Sequence, residues 1–369
     1  MSHTLTVDML GAAIGIDLSG LDPVTRRRAH DAWADALAPV GVSPETTVAP
    51  DPRLDGPRAL EQLSQLVTLA GITAHRGTMW MLHAAGVADA DGRVLVFVGP
   101  SGRGKTTASI ALGREFSYVS DETIGIMADG TVRAYRKPLS IIEQPGGKPK
   151  VQRAPSSLGL RRLPEAPLTL GGIVLLDRRE DGPEEPEVQP VSLVDAIEDL
   201  VPQSSSLVAM DAPLQFMAAR VGETGGLTRI TYREAAMLPG VVAELLARRN
   251  DPIDVVTRAL ASFSASTAAD PGMVRYVRAD TVDAIEEVGR DVIVVLQRGL
   301  DDGGHIGVVR VLTGIAPVLW RSAAGATVHE FVQAAVEAYG LPEPGRAEPE
   351  PLVRKALSDL TATGVLRVE

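Results

Sequence analysis

Val94-Leu-Val-Phe-Val98 runs straight into Gly99-Pro-Ser-Gly-Arg-Gly-Lys-Thr106, and Thr107-Ala-Ser-Ile-Ala-Leu-Gly113 follows with a helical pattern. An unbroken apolar run rich in β-branched residues is the pattern of a buried strand. The eight residues after it match G-x-x-x-x-G-K-[ST] at every defined position, in the strand-loop-helix setting that gives the match its meaning. Gly99, Gly102 and Gly104 let successive amides turn inward toward the positive end of the helix dipole, a cradle for phosphate. The stretch therefore points to an α/β core and to a nucleotide site lined by Gly99, Pro100, Ser101, Gly102, Arg103, Gly104, Lys105, Thr106 and Thr107. In such a loop the lysine neutralises the β and γ oxygens of ATP, and the hydroxyl of Thr106 is placed on the Mg2+ that bridges them.

The 369 residues suffice for two or three domains, and 45% hydrophobic with 22% charged content is that of a globular protein with a sizeable core. No apolar run approaches the roughly 18 to 20 residues that span a bilayer, and MSHTLTVDML lacks a basic stretch leading into an apolar one, so a cytoplasmic protein without membrane contact is expected. Zero cysteines exclude disulfides and thiolate chemistry, and His3, His30, His75, His83, His305 and His329 show no metal-ligand spacing. The formal net charge of −11 disfavours a broad grip on nucleic acid, so no nucleic-acid partner is expected.

Residues 1–78 read as an N-terminal helical or accessory region, with Asp22 as a cap and Pro23 in the first turn of a helix. The three arginines at 26–28 fan around that helix and read as a solvated face or a phosphate or partner contact. From 79 to 262 apolar runs at 94–98, 118–119, 123–127, 168–176 and 227–231 alternate with helical patterns, which gives an α/β or mixed-sheet core. Residues 180–190 are an acidic, proline-rich surface excursion, and 263–273 have linker composition. Beyond the linker, 274–278, 284–288 and 291–296 read as short strands. Segments 311–323, 327–339 (with Thr327 and Glu330 as a capping box) and 350–363 read as helices, and 365–368 as a closing strand. Three helices edged by small strands describe a winged helix-turn-helix over 274–369.

Two groups near the loop carry candidate chemistry. Tyr118-Val-Ser-Asp-Glu-Thr-Ile-Gly-Ile126 is an apolar strand interrupted by two carboxylates, which strand geometry sends to opposite faces. One acid would face the phosphates as a metal ligand or as the base for an attacking hydroxyl, and the other would pair with solvent or protein. Met81-Leu-His-Ala-Ala85 reads as a strand beside the loop strand, which brings His83 toward the γ-phosphate. Arg136 and Lys137 are candidates for phosphate or substrate contacts, with an ordinary charged surface as the alternative. Asp177, ending Ile173-Val-Leu-Leu-Asp177, is a rival magnesium acid, because an apolar strand ending in aspartate is the general second nucleotide motif.

Taken in order, His83-Ala-Ala, G-P-S-G-R-G-K-T-T from Gly99 and Ser120-Asp-Glu-Thr-Ile124 resemble the HPr kinase/phosphorylase-like P-loop family, related to phosphoenolpyruvate carboxykinase, over roughly residues 75–250. The resemblance implies an HPr-kinase-type core in which Asp121 assists proton transfer and binds metal, Glu122 holds the second acid position and His83 the histidine position. Catalysis would then fall to Asp121, His83 and Lys105, and the metal to Thr106, Asp121 and Glu122. The family's second signature has no clear counterpart; the nearest segments are Ala134-Tyr-Arg-Lys-Pro-Leu-Ser140 and Leu168-Thr-Leu-Gly-Gly172, so HPr as substrate and phosphate-driven reversal are unsupported.

The C-terminal stretches Val311-Leu-Thr-Gly-Ile-Ala-Pro-Val-Leu-Trp320, Thr327-Val-His-Glu-Phe-Val332 and Ala356-Leu-Ser-Asp-Leu-Thr-Ala-Thr-Gly-Val-Leu366 resemble the PqqD-like fold, over about 275–369. That resemblance implies a leader peptide bound as an added strand, at an edge expected within 274–296, with a DNA-binding winged helix or a dimerisation domain as the other readings. The leading expectation is thus an ATP- and Mg2+-dependent kinase of a serine or threonine hydroxyl on a ribosomal precursor peptide. A nucleotide-gated regulator without phosphotransfer and a small-metabolite kinase are the alternatives, and a homo-oligomer is expected by analogy alone.

Overall fold

The computed structural model describes residues 2–100, 104–142, 150–259, 273–287, 289–301, 304–340 and 348–369. The chain forms two compact units, Met1–Asp211 with Arg220–Ile253, and Ala212–Ala219 with Asp254–Glu369. All but Met273 of the linker expected at 263–273 lies outside the described residues.

The N-terminal region is not simply helical. Strands β1 (Thr4–Met9) and β2 (Ala12–Asp17) form an antiparallel hairpin, and β3 (Thr46–Val48) adds to β2 in parallel. The hairpin turns through Leu10 and Gly11, both at positive φ, the geometry that matches strand twist. Helix α1 (Pro23–Ala32) starts under the Asp22 carboxylate, which accepts from the amides of Val24 and Thr25, and α2 (Gly56–Ala74) starts under Asp55. Val7, Met9, Ile14 and Ile16 are buried with Leu63 and Val67 of α2, so the alternation along β1 and β2 is a sheet face with helices over it. The helix caps are the louder signals in this region, and they obscured that alternation.

The region around the glycine-rich loop is built from β4 (Trp80–Leu82), β5 (Ala84–Ala88), β6 (Arg93–Val98), α3 (Lys105–Gly113), β7 (Ser117–Ser120), β8 (Ile124–Ile126) and β9 (Val132–Arg133). There follow β10 (Leu139–Ile141), β11 (Val151–Arg153), β12 (Thr169–Arg178), β13 (Glu187–Val191), α4 (Leu193–Leu200), β14 (Ser204–Ser205), α5 (Pro213–Glu223), β15 (Leu227–Tyr232) and α6 (Leu238–Ala247). One sheet has the order β13-β15-β12-β6-β5-β7, in which β15, β12 and β6 are parallel neighbours, β13 and β5 run opposite to them, and β7, antiparallel to β5, runs with them; a second has the order β14-β4-β8-β9. The result is a mixed α/β core, with Leu95 and Phe97 of β6 packed in one cluster with Ala108 and Leu112 of α3 and Leu238 and Val242 of α6. The 180–190 segment read as a loop, but residues 187–191 pair with β15 as an edge strand, where the missing amide of Pro190 is tolerated.

The second unit contains β16 (Val256–Ala259), β17 (Tyr276–Arg278), β18 (Asp283–Glu287), β19 (Ile293–Asp301), β20 (Gly304–Leu312), α7 (Ala316–Ser322), β21 (Ala324–Ala326), α8 (Val328–Tyr339), α9 (Pro349–Ala362) and β22 (Leu366–Val368). Its sheets are β16-β18-β19-β20 and β21-β17-β22. The helix expected over 311–323 is shorter: Gly304–Leu312 pairs residue for residue with β19, and α7 starts only at Ala316. Val308-Val-Arg-Val-Leu312 carries the β-branched bias of a strand, and Gly314 at positive φ ends it. A free edge within 274–296 is also corrected, because β17, β18 and β19 are each flanked on both sides; the outer strands are β16, β20, β21 and β22. Thr327 and Glu330 make the expected capping box on α8. Phe331 is fully buried and meets Tyr276 edge-on at 5.9 Å. Phe331→Ala is expected to cost about 3–5 kcal/mol, measured by denaturant unfolding; a loss below about 1 kcal/mol would show that this core packs elsewhere. Among the described residues no helix is long and apolar enough to cross a membrane.

Candidate nucleotide and phosphoryl-transfer site

Strand β6 ends at Val98 and the loop delivers the chain to α3 through Gly104, which takes φ +87 and leaves the first turn of α3 with no side-chain cap. Among the described residues no side chain caps its leading amides, which stand at the positive end of the helix dipole. The Lys105 ammonium, buried, folds back to donate to the Gly99 carbonyl at 2.6 Å. Burial pulls its pKa down, against the opposing charges of Glu122 and Asp121. Ser101, Gly102 and Arg103 lie outside the described residues, while Gly99, Pro100, Gly104, Lys105, Thr106 and Thr107 stand around this turn.

Two chain crossings supply the other groups. Between β4 and β5, and again between β7 and β8, the chain passes from one sheet into the other, and β4 pairs with β8 as β5 pairs with β7. His83 sits at the first crossing and Asp121 with Glu122 at the second, so the two crossings bring all three together. The acids occupy a bend and not the strand expected for them. The Ser120 hydroxyl accepts from the amides of Glu122 at 3.2 Å and Thr123 at 3.3 Å, and the Glu122 carbonyl accepts from Ala84 at 3.0 Å. Strand alternation is lost there, and both carboxylates belong to one cluster.

Asp121 is buried and held at both oxygens. The Tyr118 hydroxyl donates to Oδ1 at 3.0 Å, and the Thr106 hydroxyl lies 3.5 Å from Oδ2. Burial raises its pKa, opposed by Lys137. Glu122 faces Lys137 and His83, with Oε2 at 3.2 Å from Lys137 Nζ and Oε1 at 3.7 Å from His83 Nε2. Burial works against its charge, but the Lys137 ammonium prevails and its pKa falls. The His83 amide donates to the Gln203 carbonyl at 2.7 Å, and burial together with the Lys105 charge lowers the imidazole pKa, which favours the neutral ring. Lys137 is therefore inside the cluster. Arg136 is not: its guanidinium donates to the Tyr118 and Arg161 carbonyls and lies 5.3 Å over the Tyr118 ring, a structural brace in place of the expected phosphate contact.

Asp177 stands on the other flank of the loop strand, in the parallel neighbour β12, and its carboxylate is engaged by Arg179 at 2.7 Å. It lines a 200 Å³ cavity with Gly99, Pro100, Arg178, Asp199 and Arg229. The sequence alone assigns no role to Tyr118, the first residue of the strand that carries the acids, or to Arg178. The i to i+3 spacing of Tyr118 and Asp121 is a signal only once the bend at Ser120 is known.

Because the Tyr118 O–H bond favours the ionised carboxylate, its removal raises the Asp121 pKa further. Carboxyl carbon-13 titration of the nucleotide-free protein, assigned with Asp121→Asn, is expected to show a midpoint above the ordinary aspartate range, higher again in Tyr118→Phe. An unchanged midpoint in Tyr118→Phe would mean that the phenol does not hold the carboxylate. The base form of Asp121 is thus gained as pH rises through an elevated pKa and lost on acidification.

No protein-family model and no curated protein matches the chain. Among solved structures, the Hpr(Ser) kinase/phosphatase from Coxiella burnetii is similar over 45% of this chain and 93% of its own, with 15% identity and a TM-score of 0.27. A likeness of that extent assigns no activity, and the functional reading rests on the site.

Proposed function

We propose that the chain is an ATP-dependent phosphotransferase of the HPr kinase type, acting on a serine or threonine hydroxyl. The observation that carries the reading is the convergence of Lys105, Thr106, Asp121, Glu122, His83 and Lys137 at the uncapped start of α3. Lys105 and the amides of α3 hold the phosphates, and burial of the lysine strengthens its pull on them. Asp121 accepts the hydroxyl proton as the γ-phosphoryl group moves in line, with Tyr118 fixing the carboxylate so that Oδ2 is presented to the reacting group. Glu122, tied to Lys137 and His83, keeps a second negative charge near the site while the neutral imidazole is available to orient the acceptor.

No group of three or more His, Cys, Asp or Glu among the described residues is arranged to hold a metal alone. A hydroxyl and a carboxylate at Thr106 and Asp121 nevertheless fit Mg2+ that arrives with nucleotide phosphates, and Glu122 is the adjacent acid. Bound there, Mg2+ would neutralise charge on the β and γ oxygens.

The second unit is proposed as a winged helix-turn-helix of the PqqD-like kind that holds a precursor peptide. Strand β20 offers one unpaired side among the described residues, with Ile306 partly exposed along it, and an extended peptide can add there. Fusion to the kinase unit would raise the effective concentration of the bound hydroxyl. The test is intact-mass spectrometry of candidate precursor peptides incubated with the full chain, ATP and Mg2+. A mass gain of one phosphate on serine or threonine supports the reading. ATP hydrolysis without any peptide gain would favour a nucleotide-gated regulator.

A further inference from the structure

Arg178 closes β12, and its side chain reaches across to the nucleotide loop. A Cβ on Gly104 would lie 3.2 Å from Arg178 Cδ and 3.8 Å from Nη1, so the guanidinium stem passes against the residue that opens α3. Nε is fixed by donation to the Arg233 carbonyl at 3.1 Å, which sets the direction of the arm. The terminal Nη1 and Nη2 have no acceptor among the described residues, whereas the neighbouring charges are matched. Arg229 pairs with Asp199 at 3.0 Å, and Asp177 with Arg179 at 2.7 Å. Arg178 also shares the wall of the 200 Å³ cavity with Gly99 and Pro100, the first residues of the loop. Two basic groups therefore flank the loop, the Lys105 ammonium on the side of Asp121 and Glu122, and this guanidinium on the β12 side, where Asp177 and Asp199 share the cavity wall but are paired with Arg179 and Arg229. A fork of free N–H donors beside such a cradle matches the planar oxygens of a phosphoryl group.

We propose that Arg178 is a catalytic residue that contacts the terminal phosphoryl group of the bound nucleoside triphosphate, from the β12 side of the loop. The assignment rests on the phosphotransferase reading above and adds to it a second cation, supplied in cis, opposite the Asp121 side. It favours triphosphate over diphosphate, because a contact to the terminal group is absent in ADP.

The test uses the full chain, with AMP-PNP and ADP as ligands in calorimetry in the presence of Mg2+. Arg178→Ala is expected to weaken AMP-PNP binding about tenfold to hundredfold while changing ADP binding about threefold or less. Arg178→Lys is expected to recover only part of the loss, since an ammonium restores the charge without the fork. Arg178 is exposed at a strand end, and thermal unfolding of each variant confirms the fold. If Arg178→Ala binds both nucleotides like the wild type, or loses both equally, the assignment is overturned. Lys105→Ala separates the two levels: loss of both nucleotides there upholds the loop reading independently of Arg178, whereas wild-type binding in Lys105→Ala removes the premise itself.

Discussion

Asp121→Asn is expected to slow phosphoryl transfer about 10²- to 10⁴-fold while leaving nucleotide affinity within about threefold. The asparagine keeps the volume and an oxygen able to accept from Tyr118, so the buried bend need not move. What disappears is the basic oxygen beside Thr106 and one negative charge from a pocket that holds Lys105 and Lys137. Affinity is expected to be largely preserved because, on the proposed reading, the loop and Lys105 hold the phosphates, and the substitution does not touch them. Single-turnover transfer from labelled ATP, with nucleotide affinity measured separately, distinguishes these effects. A fully active Asp121→Asn enzyme would remove Asp121 as base and return attention to Asp177.

Lys105→Ala is expected to weaken ATP binding about a hundredfold or more, and transfer with it. This ammonium sits buried against the Gly99 carbonyl, and burial lowers its pKa. Among the described residues this buried cation is held by one carbonyl at 2.6 Å, with two carboxylates near it, an arrangement that suits a stronger anionic partner. Removal of the side chain takes away the anchor for the β and γ oxygens and leaves Asp121 and Glu122 to repel the phosphates. Calorimetry with AMP-PNP measures it; near-wild-type affinity would place the nucleotide elsewhere.

The strand-loop-helix unit at 94–113 is legible because each of its local signals agrees with the tertiary setting. The strand expected over Met81–Ala85 is met in part: Ala84–Ala88 pairs with β6, but Trp80–Leu82 belongs to the other sheet and His83 sits at the break between them. The acids were harder. Alternation along Tyr118–Ile126 sends neighbours to opposite faces, but the Ser120 hydroxyl bends the chain exactly where it leaves one sheet for another, and that event has no periodicity. The end of β20, Val311 and Leu312, falls inside the segment expected as a helix over 311–323, because a short apolar run followed by a real helical pattern is a case in which period alone does not decide. Arg136 and Lys137 are adjacent and alike on the page; their opposite fates, one bracing carbonyls and one pairing with Glu122, come from contacts 15 or more residues distant.

The arrangement also decides how the peptide role is to be probed. Asp283, in β18, accepts from the amides of Leu214 and Gln215 at the start of α5 and from the Gln215 side chain. Truncation before β18 would strip the cap from α5, so point variants along β20 are the cleaner probe.

The most direct measurement is a crystal structure of the full chain with AMP-PNP and Mg2+. The account predicts the phosphates on the amides that open α3, the Lys105 ammonium released from Gly99 onto them, and Mg2+ shared by Thr106, Asp121 and phosphate oxygens. An empty loop, or a nucleotide bound there with Asp121 turned away from it, would contradict the account.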